Sequence, residues 1–194
     1  MREFNAYCRL LSWEKASEGT TVANGRRFRG GYLSERQTTN VNNKNTYKQG
    51  EFKMIALACD HGGLEIKNAI IESLKAKGVE YIDLGTNTTD SVDYPIYAKA
   101  LCKEITEGRC EKGILCCGTG IGMSIAANKV RGIRAAVLSD EFSAEMTRRH
   151  NNTNVLCLGG RVIDCEKAVK LADIFLNTEY EGGRHDKRVA MLED

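Results

Sequence analysis

From Met54 onward, short runs without a polar residue alternate with longer stretches in which apolar residues recur every three or four positions. Ile55-Ala56-Leu57-Ala58-Cys59 is one such run, the signature of a strand buried on both faces. Leu64 to Lys77 carries Ile66, Ile70 and Leu74 at helical spacing and stops at Gly78, a residue suited to the position after a helix end. Val79 to Leu84 reads as a second strand. A polar loop, Gly85 to Asp93, then leads to a helix with Pro95 in its first turn that ends near Gly108. The pattern continues with a strand over Gly113 to Cys117, a glycine-rich turn, and a helix from about Ile121 to Lys129. A strand over Ile133 to Leu138, a helix over Glu141 to Arg149, a strand over Val155 to Leu158 and a helix over Asp164 to Leu176 follow. A last helical segment runs from about Arg184 to Leu192. Five strands separated by helices predict an α/β fold: a three-layer α/β/α sandwich around a five-stranded, parallel, Rossmann-like sheet.

Residues 1–53 break this pattern. After one apolar cluster, Tyr7 to Trp13, the text is dense in Gly, Arg, Thr and Asn. Such a composition buries too little apolar surface to offset the entropy of ordering. The segment is therefore expected to be a disordered or loosely packed N-terminal extension, with 54–194 as the folded domain. It lacks the apolar core of a secretory signal. An organelle transit peptide stays open, because the segment bears Arg and no Asp, although Glu3, Glu14 and Glu18 count against it. The charge divides at the same place. The first 53 residues hold ten basic and five acidic side chains, so the mildly basic balance of the chain belongs to them and the body is slightly acidic. An acidic body argues against a nucleic-acid partner. No run approaches the roughly 18 apolar residues that span a bilayer, so no membrane partner is expected. None of the eight cysteines is spaced as C-x-x-C. Cys59, Cys116, Cys117 and Cys157 lie in strand-like runs, and most of the eight read as buried thiols of a reducing, cytoplasmic compartment.

In a parallel sheet, ligands bind beyond the carboxyl ends of the strands. Polar and glycine residues gather there. The first strand runs into Asp60-His61-Gly62-Gly63, the third into Cys117-Gly118-Thr119-Gly120-Ile121-Gly122, and the fifth into Gly159-Gly160-Arg161. The helix after the fourth strand runs into His150-Asn151-Asn152, which is expected at the same edge. The turn at 118–122 fits neither a dinucleotide fingerprint nor a phosphate-binding Walker loop. It is a strand, a bare turn and a helix start, either a simple tight turn or a cradle whose backbone N–H groups surround an oxyanion. Cys117 opens the turn near a helix N-terminus, where the positive dipole end favours a thiolate; the alternative is a small core residue like Cys116. Adjacent strand residues face opposite sides, so only one of the two can serve. Arg184 and Arg188 are four apart, on one helical face, and suit a phosphate dianion or are simply a solvated basic face. His61, His150 and His185 are the only histidines. No histidine–histidine or carboxylate–histidine spacing suggests a metal, so no metal site is expected.

Taken together these segments resemble the ribose-5-phosphate isomerase B family, within the group that includes galactose- and allose-6-phosphate isomerases. The resemblance covers Met54 to about Asp194. It is carried by ALACDHGG at 56–63, DYP at 93–95, CGTGIGMSIAANK at 117–129, GIRAAVLSD at 132–140, RRHNNTNVLCLGGRV at 148–162 and YEGGRHDKRV at 180–189. It implies an aldose–ketose isomerase acting on ribose 5-phosphate and ribulose 5-phosphate through a cis-enediolate, with no cofactor. Cys117 would be the base, and Gly118, Thr119, Gly120, Ile121 and Gly122 the oxyanion cradle. His150 would assist ring opening. Asp60 and Asn151 would orient sugar hydroxyls, while His61, Arg161, Arg184 and Arg188 would handle the phosphate or the dimer-completed edge of the pocket. Some family members use a glutamate in the turn as base; here the corresponding positions are Gly122 and Met123. The resemblance also implies a homodimer, or a dimer of dimers, whose sites are completed across the subunit interface. Two other activities remain at this point: a hexose-6-phosphate isomerase, and a non-catalytic phosphosugar-binding subunit.

Overall fold

The computed structural model describes residues 54–193, so the expectations for residues 1–53 fall outside the described residues. The described chain alternates β1 (Met54–Cys59), α1 (Leu64–Ala76), β2 (Tyr81–Asp83), α2 (Tyr94–Thr106), β3 (Cys110–Cys117), α3 (Ile121–Ala127), β4 (Ala135–Val137), α4 (Glu141–Asn151), β5 (Val155–Gly159) and α5 (Cys165–Asn177). A 3₁₀ turn at Gly183–His185 and a short helix, α6 (Asp186–Ala190), close it. All five strands are parallel, in the order β2-β1-β3-β5-β4.

The strands sort their side chains by parity, as a pleated sheet requires. Ile55, Leu57 and Cys59 of β1, Ile114 and Cys116 of β3, and Leu156 and Leu158 of β5 enter a core with α1, α4 and α5. Ala56, Ala58, Leu115, Cys117, Val155 and Cys157 enter a second core with α2 and α3. Helices thus cover both faces, the predicted three layers. Among the described residues, no helix is long and apolar enough to cross a membrane.

Four elements differ most from the sequence expectation. β3 begins at Cys110 rather than Gly113, because it is central and flanked by β1 and β5. β2 and β4 are shorter than expected because each lies at an edge and has a single partner. The last helical segment is broken, since Gly182 and Gly183 take φ of +65° and +61° and delay the helix. Arg184 falls in the 3₁₀ turn and Arg188 in α6, so they do not share one α-helical stripe.

Lys67 of α1 sets the loop after β2. Its side chain is fully buried. The ammonium donates to Asp83 Oδ2 at 2.7 Å, to the Thr86 carbonyl at 3.2 Å and to Asn87 Oδ1 at 3.2 Å. These three acceptors satisfy a charge that would otherwise be costly to bury. Replacing it, as in Lys67→Met, leaves Asp83 without its cation and keeps only the Gly85 N–H on Asp83 and the weak Cys59 thiol on the Thr86 carbonyl. The expected loss of stability is about 3 kcal/mol, at the lower end of the range for a broken buried pair because Asp83 is partly exposed. Urea unfolding monitored by circular dichroism reads it; an unchanged midpoint would show that the loop is held by other contacts.

The sheet also fixes where a ligand can enter. The chain leaves β1 toward α1 on one face and leaves β3 toward α3 on the other. The two loops diverge, and a crevice opens between the carboxyl ends of β1 and β3.

Candidate active site

The turn after β3 depends on Gly120, whose φ of +78° lies where a side chain is strained. That conformation turns the Gly120 N–H back onto the strand end, where it donates to Cys117 Sγ at 3.0 Å. The Ile121 N–H donates to Thr119 Oγ1 at 3.4 Å, and Thr119 is exposed. Cys117 therefore sits at the start of the turn, buried, with a backbone donor on its sulfur. Cys116 points to the opposite core, as the strand period requires. Burial pushes the Cys116 and Cys157 thiols far above their ordinary range, and the Cys59 thiol up to about 12. Those three are structural thiols.

The neighbouring loops close around the turn. Asp60 is buried, and its Oδ1 accepts the Gly62 N–H at 2.8 Å. His61 Nδ1 accepts the Val92 N–H at 3.2 Å. The neutral ring then carries its proton on Nε2, so that nitrogen is a donor. The Arg161 side chain lies across Gly118, and the Arg161 N–H donates to the Gly118 carbonyl at 3.0 Å. Tyr94 is a neighbour the sequence reading did not single out. Its ring packs on Gly122 so closely that a Cβ there would come within 2.9 Å. Its only sequence signal was its place in the DYP triplet.

The remaining expected site residues lie elsewhere. α4 follows the carboxyl end of β4 and runs back along the sheet, so His150 and Asn151 at its C-terminus stand at the amino edge. The Asn154 N–H there donates to the Arg134 carbonyl, ahead of β4. The segment after α5 reaches the same edge, where the Glu181 N–H donates to the Arg149 carbonyl at 3.1 Å. Arg184 and Arg188 follow on that segment. The expectation that His150 shares an edge with Cys117 is therefore corrected. The length of β5 separates the two groups, roughly 15 Å at about 3.3 Å per residue.

At the amino edge the His150 and His185 rings stack, with centroids 4.4 Å apart and planes 12° apart. His185 is buried. Burial, with His150 and Arg184 nearby, holds its imidazole below the usual range. Glu181 Oε2 lies 3.9 Å from His150 Nε2 and 3.8 Å from His185 Nε2. Glu181 and His185 are four apart in sequence, a carboxylate–histidine spacing that the sequence reading passed over. The donor atoms of His150, Glu181 and His185 all lie within 4.8 Å of one another, close enough to be considered as a cation site. The stacked rings do not suit one. Their lone pairs lie in two nearly parallel planes and do not converge on a point. Arg149 donates to Glu181 Oε1 at 2.6 Å, and Arg184 Nε donates to His185 Nε2 at 3.3 Å. This cationic cluster suits an anion and a proton better than a metal. A separate open hollow of about 360 Å³, lined by Ile55, Leu74, Val79, Glu111 and Lys112, also lies at the amino edge but includes none of these groups.

The chain is similar to known proteins over the whole of this described body. Residues 55–192 match the family model described as Ribose/Galactose Isomerase. The chain is 49% identical over 140 residues to ribose-5-phosphate isomerase B of Escherichia coli, covering 72% of this chain and 94% of that protein. The solved ribose 5-phosphate isomerase of Thermotoga maritima superposes with a TM-score of 0.71 at 46% identity, over 72% of this chain and 97% of that one. Ribose-5-phosphate isomerase B of Mycoplasma genitalium, solved with bound ribulose-5-phosphate, gives a TM-score of 0.68 at 41% identity, over 71% of this chain and 92% of that one. With a match across residues 55–192, this chain belongs to the Ribose/Galactose Isomerase family and is an isomerase.

Proposed function

We propose that this isomerase interconverts ribose 5-phosphate and ribulose 5-phosphate. The observation that carries the reading is the Cys117 sulfur, held by the Gly120 N–H at the mouth of the turn. In the open-chain aldose the C2 proton is weakly acidic because it lies next to the C1 carbonyl. The Cys117 thiolate removes that proton, and the C–H electron pair becomes the C1–C2 double bond of an enediolate. The charge that gathers on O1 is met by the N–H groups of Gly118 to Gly122, which need no reorganisation. Cys117 returns the proton to C1. O1 gains a proton as O2 loses one, and Thr119 is placed to relay it. The amides stabilise the charge, so the scheme needs no metal.

The sugar must first open. His150 donates a proton to the ring oxygen as the C1–O bond breaks, and the anomeric hydroxyl releases its proton to water. Because His150 and Cys117 lie at opposite edges, the scheme needs two copies of the chain, with the His150 group of one facing the Cys117 turn of the other. Exposed apolar side chains at the carboxyl edge support a homodimer, among them Ile96, Ile121, Phe142 and Val162. Asp60 and Asn151 then orient sugar hydroxyls, and His61, Arg161, Arg184 and Arg188 hold the phosphate. The buried, unbridged thiols of Cys59, Cys102, Cys110, Cys116 and Cys157 fit a cytoplasmic setting.

The family description names galactose beside ribose, so the test is a panel. Initial rates are measured with ribose 5-phosphate, allose 6-phosphate and galactose 6-phosphate. The expected kcat/KM for the pentose exceeds that for either hexose by at least tenfold, the scale on which one carbon is discriminated. A hexose preference would overturn the pentose reading, and no turnover of any would return the phosphosugar-binding reading.

A further inference from the structure

Glu181 has no part in the scheme above, yet among the described residues it is the carboxylate at ionic-contact distance from His150. Its backbone is pinned by its own N–H on the Arg149 carbonyl. Arg149, which also pairs with Glu145, fixes its Oε1. The bond from Arg149, aided by the nearby histidines, holds the Glu181 carboxyl below the usual carboxylate range, so it stays ionised at neutral pH. The free oxygen, Oε2, is left facing Nε2 of both stacked rings. At 3.9 Å and 3.8 Å neither contact is a hydrogen bond. Both are at the distance from which a catalytic contact tightens once a substrate is bound.

We propose that Glu181 is the positioning residue of His150: its carboxylate, anchored by Arg149, holds the imidazole against the His185 platform and stabilises the charge that ring opening moves on and off that ring. His150 gives its proton to the ring oxygen and is reprotonated by water, which has taken up the anomeric proton, and Glu181 remains ionised throughout. His185 supplies a buried, stacked surface that fixes the plane of the His150 ring. Arg149 and Arg184 flank the group, and Glu181 is the acid set against the two rings, Glu145 being engaged on Arg149. Without Glu181, an imidazolium beside two guanidinium groups is disfavoured, and the proton needed by the ring oxygen would be harder to hold.

Glu181 acts in this way only if His150 handles the ring-opening proton, so one experiment reads both. Ribulose 5-phosphate has its C5 oxygen phosphorylated and has no furanose to open. Exchange of its C1 proton with deuterium oxide reports enolisation alone, whereas turnover of saturating ribose 5-phosphate also requires ring opening. In Glu181→Gln, turnover is expected to fall on the order of tenfold, part of the 10²–10⁴ that positioned acid–base catalysis supplies, with exchange within about threefold of wild type. Glu181→Asp recovers at least half of the lost rate, and thermal unfolding of both variants stays close to wild type. A Glu181→Gln enzyme with full turnover, or one that loses turnover and exchange alike, overturns the inference. His150→Ala serves as the reference: it keeps exchange while losing more turnover than Glu181→Gln does. If His150→Ala leaves turnover unchanged, the ring-opening role itself is wrong and Glu181 falls with it.

Discussion

Cys117→Ser is expected to lower isomerisation by about a thousandfold or more, within the range that a positioned general base supplies. A serine hydroxyl is about the same size and can still accept the Gly120 N–H, so the turn stays folded. What is lost is the sulfur as proton acceptor, because an alcohol ionises far less readily than a thiol. Both ribose 5-phosphate turnover and C1 exchange of ribulose 5-phosphate should fall together, since both need the same C–H bond broken. Binding of ribulose 5-phosphate, measured by calorimetry, should stay within a few fold. Cys116→Ser is the paired control. Its side chain enters the opposite core, so activity should change by less than about fivefold. The new buried hydroxyl costs about 1–3 kcal/mol of stability instead. Wild-type turnover in Cys117→Ser would remove the base assignment, and equal losses in the two variants would show that the wrong thiol had been chosen.

The half of the site that could be read from sequence is the half that is local in the chain. Asp60, His61 and the 118–122 turn directly follow strands, so strand direction alone puts them at the carboxyl edge. The cradle and the opposite facing of Cys116 and Cys117 come from the same rule. His150 was misplaced because an intervening helix reverses direction. Eleven residues of α4 at about 1.5 Å each carry the chain back roughly the length of a strand, so a polar cluster at its end belongs to the other edge. Arg184 and Arg188 were read on one stripe because periodicity does not reveal that Gly182 and Gly183 take positive φ. Glu181 gave almost no signal. Its chemistry comes from the tertiary approach of α4 to the segment after α5, and only its four-residue spacing from His185 was visible in the chain. Lys67 gave no signal at all: nothing in the spacing of its helix marks this lysine as the one whose side chain is fully buried.

Mixing two inactive chains should restore activity, the largest gain expected of any variant pair here. If the catalytic sulfur of one copy works with the histidine of another, then a Cys117→Ser chain and a His150→Ala chain each carry what the other lacks. Co-expressed with distinguishable tags, they pair at random, and roughly half of the dimers contain one of each. Every such dimer has one doubly altered site and one site with both native groups. Total activity should therefore rise to about a quarter of wild type, and to about half in the mixed dimer purified on both tags. Each variant alone should remain far below that level, Cys117→Ser by the thousandfold already argued. The recovered activity should also have the wild-type ratio of C1 exchange to ribose 5-phosphate turnover, because it comes from an unaltered site. A site built within one chain predicts the reverse, since no pairing could bring a native sulfur and a native histidine together. Activity in the doubly tagged dimer that stayed at the sum of the two parents would place Cys117 and His150 in separate functions. The roughly 15 Å between the edges of a single sheet would then have to be bridged by some other proton carrier.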